Sequence, residues 1–210
     1  MPSSQSITGE IRRDLTAAPE AYVVIAWPTP GEGPDKIAFD VAACLLTGAM
    51  GRVSYGGDAA RNRLNAGLHE NDPTRTVAFH KAYHGHGLFG LSLRGPCALL
   101  LNDRLTQVIP ALRTFKPSPE ELNNAKSMCK ANIFMGLESP ACLATDLAIQ
   151  MSKASNTYES PKDRAAKIDA VDANAVTTAL QQALKSPLAA LSVVAPDAGL
   201  VLPLSVLLRA

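Results

Sequence analysis

The apolar positions of this chain follow two periodicities, and they predict an alternation of strands and helices. Residues Ala21–Trp27 form an unbroken apolar run with β-branched and aromatic members, which predicts a strand buried on both faces. The Pro/Gly segment Pro28–Pro34 predicts its end, because proline cannot donate to a ladder. Asp35–Leu46 then sets Ile37, Val41, Cys44, Leu45 and Gly48 at helical spacing. Two alternating runs follow. Thr76–Tyr83 carries Val77, Phe79, Lys81 and Tyr83 on one side and small residues or His80 on the other, and Leu88–Arg94 carries Phe89, Leu91 and Leu93 on one face. The connector His84–Gly87 holds two glycines, so the pair predicts a β-hairpin.

The second half reads as helices with legible starts. Leu105, Val108, Ile109 and Leu112 mark a helix from about Ala98 to Phe115. Ser118 predicts an N-cap, Pro119 fits the first helical turn, and Glu120 and Glu121 suit the positive end of the helix dipole. The stripe Leu122, Ala125, Cys129, Ile133, Leu137 continues until Gly136–Pro140, where a break is predicted. Leu143, Leu147, Met151 and Ala154 share one face of the next helix. Ser160 and Asp172 predict caps for two more helices, and Leu188–Ala195 predicts a last strand. Strands and helices are too segregated for repeated βαβ units. The pattern therefore predicts an α+β fold, a mostly antiparallel sheet covered by helices on one face. It divides into an N-terminal arm (1–19), one domain (20–196) and an apolar tail (197–210). That tail, Leu200–Leu208, needs cover from this domain or from a partner, with Leu204 and Leu207 as candidate interaction residues.

Composition narrows the function. Among 210 residues, 47% are apolar, enough to bury a core. Only 19% are charged, against a usual share of about 25%, which suggests that some surface faces another chain. Twenty basic and nineteen acidic residues nearly cancel, which argues against a basic nucleic-acid face. No apolar run approaches the roughly 18 residues of a membrane span. The first 19 residues are Ser-rich and carry Arg12 and Arg13, but also Glu10 and Asp14, and so give no supported targeting signal.

Candidate chemistry is sparse. Cys44, Cys97, Cys129 and Cys142 lack zinc-finger spacing, and Cys44, Cys129 and Cys142 read as small buried thiols, not disulfides. His80, His84 and His86 raise the idea of a three-histidine zinc site on the hairpin, but no nearby carboxylate is expected to support it. Neither H-E-x-x-H nor H-x-x-E-H occurs. The run Gly48–Gly57 lacks the phosphate-loop pattern and follows a helix, so a docking loop is the better reading, with Gly48, Gly51, Gly56 and Gly57 as candidate interaction residues. No G-x-S-x-G elbow is present. Arg61 and Arg63 read as a solvated face.

An ordered set of segments carries a family resemblance. Residues Ala78–Gly90 resemble an "AF…Y.D.GLFG" hairpin. Around it lie Ala21–Trp27 with its Pro/Gly turn, Gly48–Gly51, Arg63-Leu64, Glu121–Lys126, Gly136–Ser139 and Ile168–Asp172. In this order and spacing they resemble the C-terminal half of the pitrilysin-type zinc peptidases, a family that includes the mitochondrial processing peptidase and the core proteins of complex III. The resemblance implies one metallopeptidase-like domain and no catalytic, metal or cofactor residue. The family's zinc motif belongs to the N-terminal half, and Leu68–Pro73 lacks the substrate-holding arginine of catalytic members.

It further implies a non-catalytic core (scaffold) subunit of the mitochondrial ubiquinol–cytochrome c reductase, most like the second core protein, on the matrix side of the inner membrane. Its partners would be a core-type chain or the chain supplying the missing N-terminal half, and other complex III subunits. The alternative is the α-like half of a processing peptidase, presenting the glycine-rich loop to presequences.

Overall fold

Burial along the strands decides which side of the sheet is core. In the computed structural model, which describes residues 8–47, 64, 73–83, 85–152 and 158–209, the chain runs β1 (Gly9–Asp14), β2 (Ala21–Pro30), α1 (Gly33–Thr47), β3 (Arg75–Ala82), β4 (His86–Gly95), α2 (Ala98–Arg113), α3 (Pro119–Gly136), α4 (Pro140–Met151), α5 (Pro161–Asp169), α6 (Ala173–Lys185), β5 (Ala190–Ala195) and α7 (Leu204–Leu207). The strands form one sheet in the order β1-β5-β2-β4-β3. Among the described strands β1 and β5 pair parallel and the other pairings are antiparallel. The register lines up Ala78, Leu91, Ile25 and Leu191 in one row and Thr76, Leu93, Val23 and Val193 in the next. All eight are buried. Each large apolar side chain in these rows contributes about 1.5–3 kcal/mol by leaving water. Helices α1, α2 and α6 pack on this face, so the α+β sandwich expected from the pattern is the fold observed.

Helix α1 is buried almost all round, with Phe39, Val41, Leu45 and Leu46 enclosed by the sheet, α3 and α6. Helix starts fall where the caps predict them. Ser118 and Ser160 each form a reciprocal capping box, with Glu121 and Asp163, and Asp172 accepts from Ala175 N.

Four local expectations need correction. The first is β2, which is not buried on both faces. Val23, Ile25 and Trp27 are fully buried, but Tyr22 is 45% exposed on the opposite side. The strand also runs through Pro28 to Pro30. β5 stops pairing at Ala26, so the rest of β2 is open on one edge, where a missing donor breaks no ladder bond. Second, the N-terminal arm contains a strand, β1. Third, the α4 stripe of Leu143, Leu147 and Met151 is exposed, and Cys142 with it. Fourth, the C-terminal tail belongs to the domain. Leu207 is fully buried and Leu204 half-buried, so Leu207 serves this chain's own core and is no surface anchor.

The tail is held by charged residues of β1. The Arg12 guanidinium donates to the carbonyls of Ala198 and Val201 at 2.7 Å and of Leu202 at 3.0 Å. Asp14 accepts from Ala198 N, and Glu10 accepts from Leu204 N, both at 2.9 Å.

Candidate functional site

The described part of the chain brings together a polar cluster around His80, whose own side chain is buried while Asp40 is partly exposed. Asp40 lies in mid-α1, one turn after Lys36, whose ammonium is 2.8 Å from it. The Asp40 carboxylate meets Nδ1 of His80 at 2.7 Å, and Nε2 of His80 lies 3.3 Å from the Thr29 hydroxyl. The His80 side chain is 1% exposed and tilts against Phe39, with 5.5 Å between ring centroids. Burial works against the Asp40 charge, but the His80 hydrogen bond and the Lys36 ammonium outweigh it and hold the carboxyl below its ordinary value.

The order carboxylate, imidazole, hydroxyl is that of a proton relay to a nucleophile. The surroundings do not suit that chemistry. Thr29 is buried, and Gly87 backs directly onto it. A Cβ at position 87 would sit 2.7 Å from Thr29 Oγ1 and 3.1 Å from His80 Nε2. No reacting carbonyl fits between them. The cluster acts as a structural joint linking β2, β3, β4 and α1.

The same geometry removes His80 from any hairpin metal site, since both its ring nitrogens have partners in the core, while His86 is exposed at the hairpin end. The expectation of no carboxylate near these histidines is corrected: Asp40, forty positions away in the chain, lies 2.7 Å from His80. Among the described residues no group of three or more His, Cys, Asp or Glu side chains is placed to hold a metal ion. His84 and the candidate residues Gly48, Gly51, Gly56 and Gly57 lie outside the described residues, as do Arg61 and Arg63.

Two apolar surfaces stand out instead. On the outer face of the sheet, Ile11 is 70% exposed, and Tyr22, Val77 and Leu88 are each exposed by more than a third. Phe79 lies over Gly90 on this face, where a Cβ would come within 2.6 Å of its ring. The other surface is the elbow between α3 and α4, where Phe134, Met135, Leu143, Ile149 and Met151 are all exposed. Polar contacts fix this elbow. Arg164 of α5 grips Asp146 through two bonds of 3.1 and 2.7 Å, and Gln150 donates to Asp146 and accepts from Glu159 N. A shallow cleft of about 450 Å³ lies at the elbow, lined by Ile133, Leu137, Ile149 and Arg164 among others. The elbow groups cluster, as contact surfaces do, whereas those on the sheet are spread, with Ile11 and Val77 on opposite edge strands. Sequence reading missed both surfaces, because apolar spacing alone does not tell which side of an element has a neighbour.

No protein-family profile matches the chain. In sequence it is 31% identical over 164 residues to a protein described as the probable mitochondrial-processing peptidase subunit alpha of Schizosaccharomyces pombe, a match covering 71% of this chain and 31% of that protein. In structure it superposes on a chain of complex III2 from Candida albicans, solved with Inz-5 bound. There the TM-score is 0.83 at 18% identity, over 97% of this chain and 49% of that one. The chain thus spans about half the length of the solved chain it matches and less than a third of the curated relative. It has the pitrilysin-like fold of one half of a complex III chain, with sequence resemblance to the α subunit of a mitochondrial-processing peptidase.

Proposed function

We propose that this chain is a non-catalytic core-type scaffold subunit of the mitochondrial ubiquinol–cytochrome c reductase, respiratory complex III, held peripherally on the matrix side of the inner membrane. The observation that carries the reading is the likeness of nearly the whole chain to half of a complex III chain. The two uncovered apolar surfaces support it. A stable protein contact buries about 1,600 Å² in total, with a few anchors carrying most of the energy. Ile11, Tyr22, Val77 and Leu88 supply such anchors on the sheet, and Phe134, Met135 and Ile149 supply them on the elbow. The partner is a core-type chain. Among the described residues no helix is long and apolar enough to cross a membrane, so in this reading attachment runs through other subunits. The subunit itself binds no quinone, haem or metal.

The test is to tag the chain in its native cell, extract mitochondria in mild detergent and identify the proteins that co-migrate on a native gel. Co-migration with cytochrome c reductase subunits and a core-type chain is expected. A monodisperse monomer free of respiratory subunits would end the proposal.

A second reading is favoured by the sequence similarity to a processing-peptidase α subunit. The chain would then pair with a catalytic half and offer residues Gly48–Gly57 to presequences. Deleting that segment and assaying presequence cleavage by the reconstituted pair separates the two readings, and unchanged cleavage counts against this one.

A further inference from the structure

Helices α1 and α3 bring two cysteines into contact that lie 85 positions apart in the chain. Cys129 Sγ is 2.6 Å from Cys44 Sγ and 3.4 Å from the carbonyl oxygen of Asp40. Non-bonded carbon atoms settle at about 3.5–4.0 Å, and sulfur is larger, so the two thiols are closer than packing alone would place them. They are about half an ångström from the 2.0 Å of a covalent S–S bond. The helices can approach this closely because the buried positions α3 turns toward α1 include small ones, Ala125 and Cys129. Both thiols are free in the structure and nearly closed to solvent, at 7% and 5% exposure.

We propose that Cys44 and Cys129 form a reversible disulfide that fastens α3 onto α1 when the chain meets a peroxide. Cys44 is the attacking sulfur. Its Sγ receives the Cys129 thiol at 2.6 Å and lies 3.8 Å from the Asn132 amide. The hydrogen bond from Cys129 lowers the Cys44 pKa, while the same bond and burial raise that of Cys129. The Cys44 thiolate attacks one peroxide oxygen, the O–O bond breaks, and hydroxide leaves as Cys44 becomes a sulfenic acid. Cys129 then gives up its proton and attacks the Cys44 sulfur. The S–O bond breaks, and the departing hydroxide takes that proton as water. For hydrogen peroxide the sum is two thiols and one peroxide giving one disulfide and two waters. Two electrons pass from the sulfurs to the peroxide.

The chemistry stands on the pair's geometry and does not depend on the assembly reading. Its consequence reaches the elbow, because α3 beyond Cys129 carries Phe134 and Met135 toward α4. Oxidation would hold that surface in one position against α1. Closing a loop of this length also restricts the unfolded chain, which should raise the melting temperature by about 10 °C.

Cys97 and Cys142 are internal controls, since Cys142 is exposed and Cys97 half-buried. The purified full chain is reduced, desalted, treated with a small excess of hydrogen peroxide, then unfolded and alkylated for peptide mapping. The expected result is a Cys44–Cys129 linked peptide pair, alkylation of Cys97 and Cys142, and a raised melting temperature that dithiothreitol reverses. Cys44→Ser and Cys129→Ser should each abolish the link and the shift, and Cys142→Ser should keep both. Alkylation of all four thiols after treatment would overturn the proposal. So would irreversible oxidation of Cys44 without a link, or a link made through Cys97 or Cys142. The wild-type peptide map decides the matter even if a serine variant fails to fold.

Discussion

Replacing His80 with alanine tests whether the His80 cluster is a joint or an incidental contact. The side chain is 1% exposed and bridges Asp40 on α1 to Thr29 on β2 from its own place on β3. Its bond to the Asp40 carboxylate is short, and a hydrogen bond to a charged group is worth about 1.5–3 kcal/mol. Asp40 is itself 36% exposed and can regain water, which favours the lower end. The Thr29 bond is long at 3.3 Å, but the hydroxyl is buried, and losing its partner costs about 1 kcal/mol. The void left beside Phe39 adds roughly another 1 kcal/mol. The sum is about 3–4 kcal/mol, a large part of a typical stability of about 5–15 kcal/mol. At about 2–4 °C per kcal/mol for a chain of this size, the melting temperature should fall by roughly 10 °C.

Urea unfolding can follow Trp27, the chain's single tryptophan, which is fully buried and pairs with Phe89 across the sheet; Phe89 in turn pairs with His80. A double-mutant cycle with Asp40→Ala should return a coupling of about 1–2 kcal/mol. Coupling indistinguishable from zero, or a His80→Ala loss below about 1 kcal/mol, would refute the reasoning.

Other expectations follow from the same contacts. Gly90→Ala should lower the urea midpoint by the equivalent of about 1–3 kcal/mol, because the new Cβ would meet the Ile25 carbonyl oxygen and the Phe79 ring, both at 2.6 Å. Ser118→Ala removes the α3 capping box and should cost about 1 kcal/mol in a thermal melt. Asp40 has a depressed pKa in the folded state, so its contribution is present above the ordinary aspartate value of 3.8 and is lost as pH falls through the lower folded value. Urea midpoints measured against pH should therefore show wild type and Asp40→Asn converging in that acid range. Ile149→Glu, at a position 57% exposed, should leave the melting temperature nearly unchanged yet reduce recovery of partner subunits in the native-gel assay.

The elements that sequence reading captured are those specified by neighbours in the chain. The caps at Ser118, Ser160 and Asp172 act over three residues, and helices begin there. The hairpin is equally local. Alternation in β3 and β4 and a glycine at φ 74° in the connector settle it within the span Arg75–Gly95. Its Ala78–Gly90 landmark also carries the family resemblance, which the likeness to half a complex III chain bears out at the level of fold. What escaped was long-range. Gly9–Asp14 has the composition of a solvated arm, and Leu200–Leu208 that of an exposed greasy end. Neither segment explains itself, but each explains the other. Arg12, Asp14 and Glu10 reach backbone groups more than 180 positions away and fold the tail down, which turns the arm into an edge strand and the tail into core.

Helices α4 and α6 show the same limit in sharper form. Both carry apolar residues at helical spacing, and nothing in that spacing separates them. In α6 the stripe of Val176, Leu180 and Leu184 is buried, and the helix packs on α1, α2 and the sheet. In α4 the residue that the fold buries is Gln150, and the attachment runs through Asp146 to Arg164 and through Gln150 to Glu159 N. The helix is therefore fastened by its polar side, with Leu143, Leu147, Ile149 and Met151 left outward. That arrangement costs some burial energy, because each of these side chains forgoes part, not all, of the about 1.5–3 kcal/mol that full burial would give. A chain free to choose would roll α4 over and bury the stripe. The bidentate Arg164–Asp146 contact opposes that roll, so the outward stripe is a specified feature of the fold. Among the described residues nothing covers it, and an exposed apolar cluster of this kind marks a contact surface.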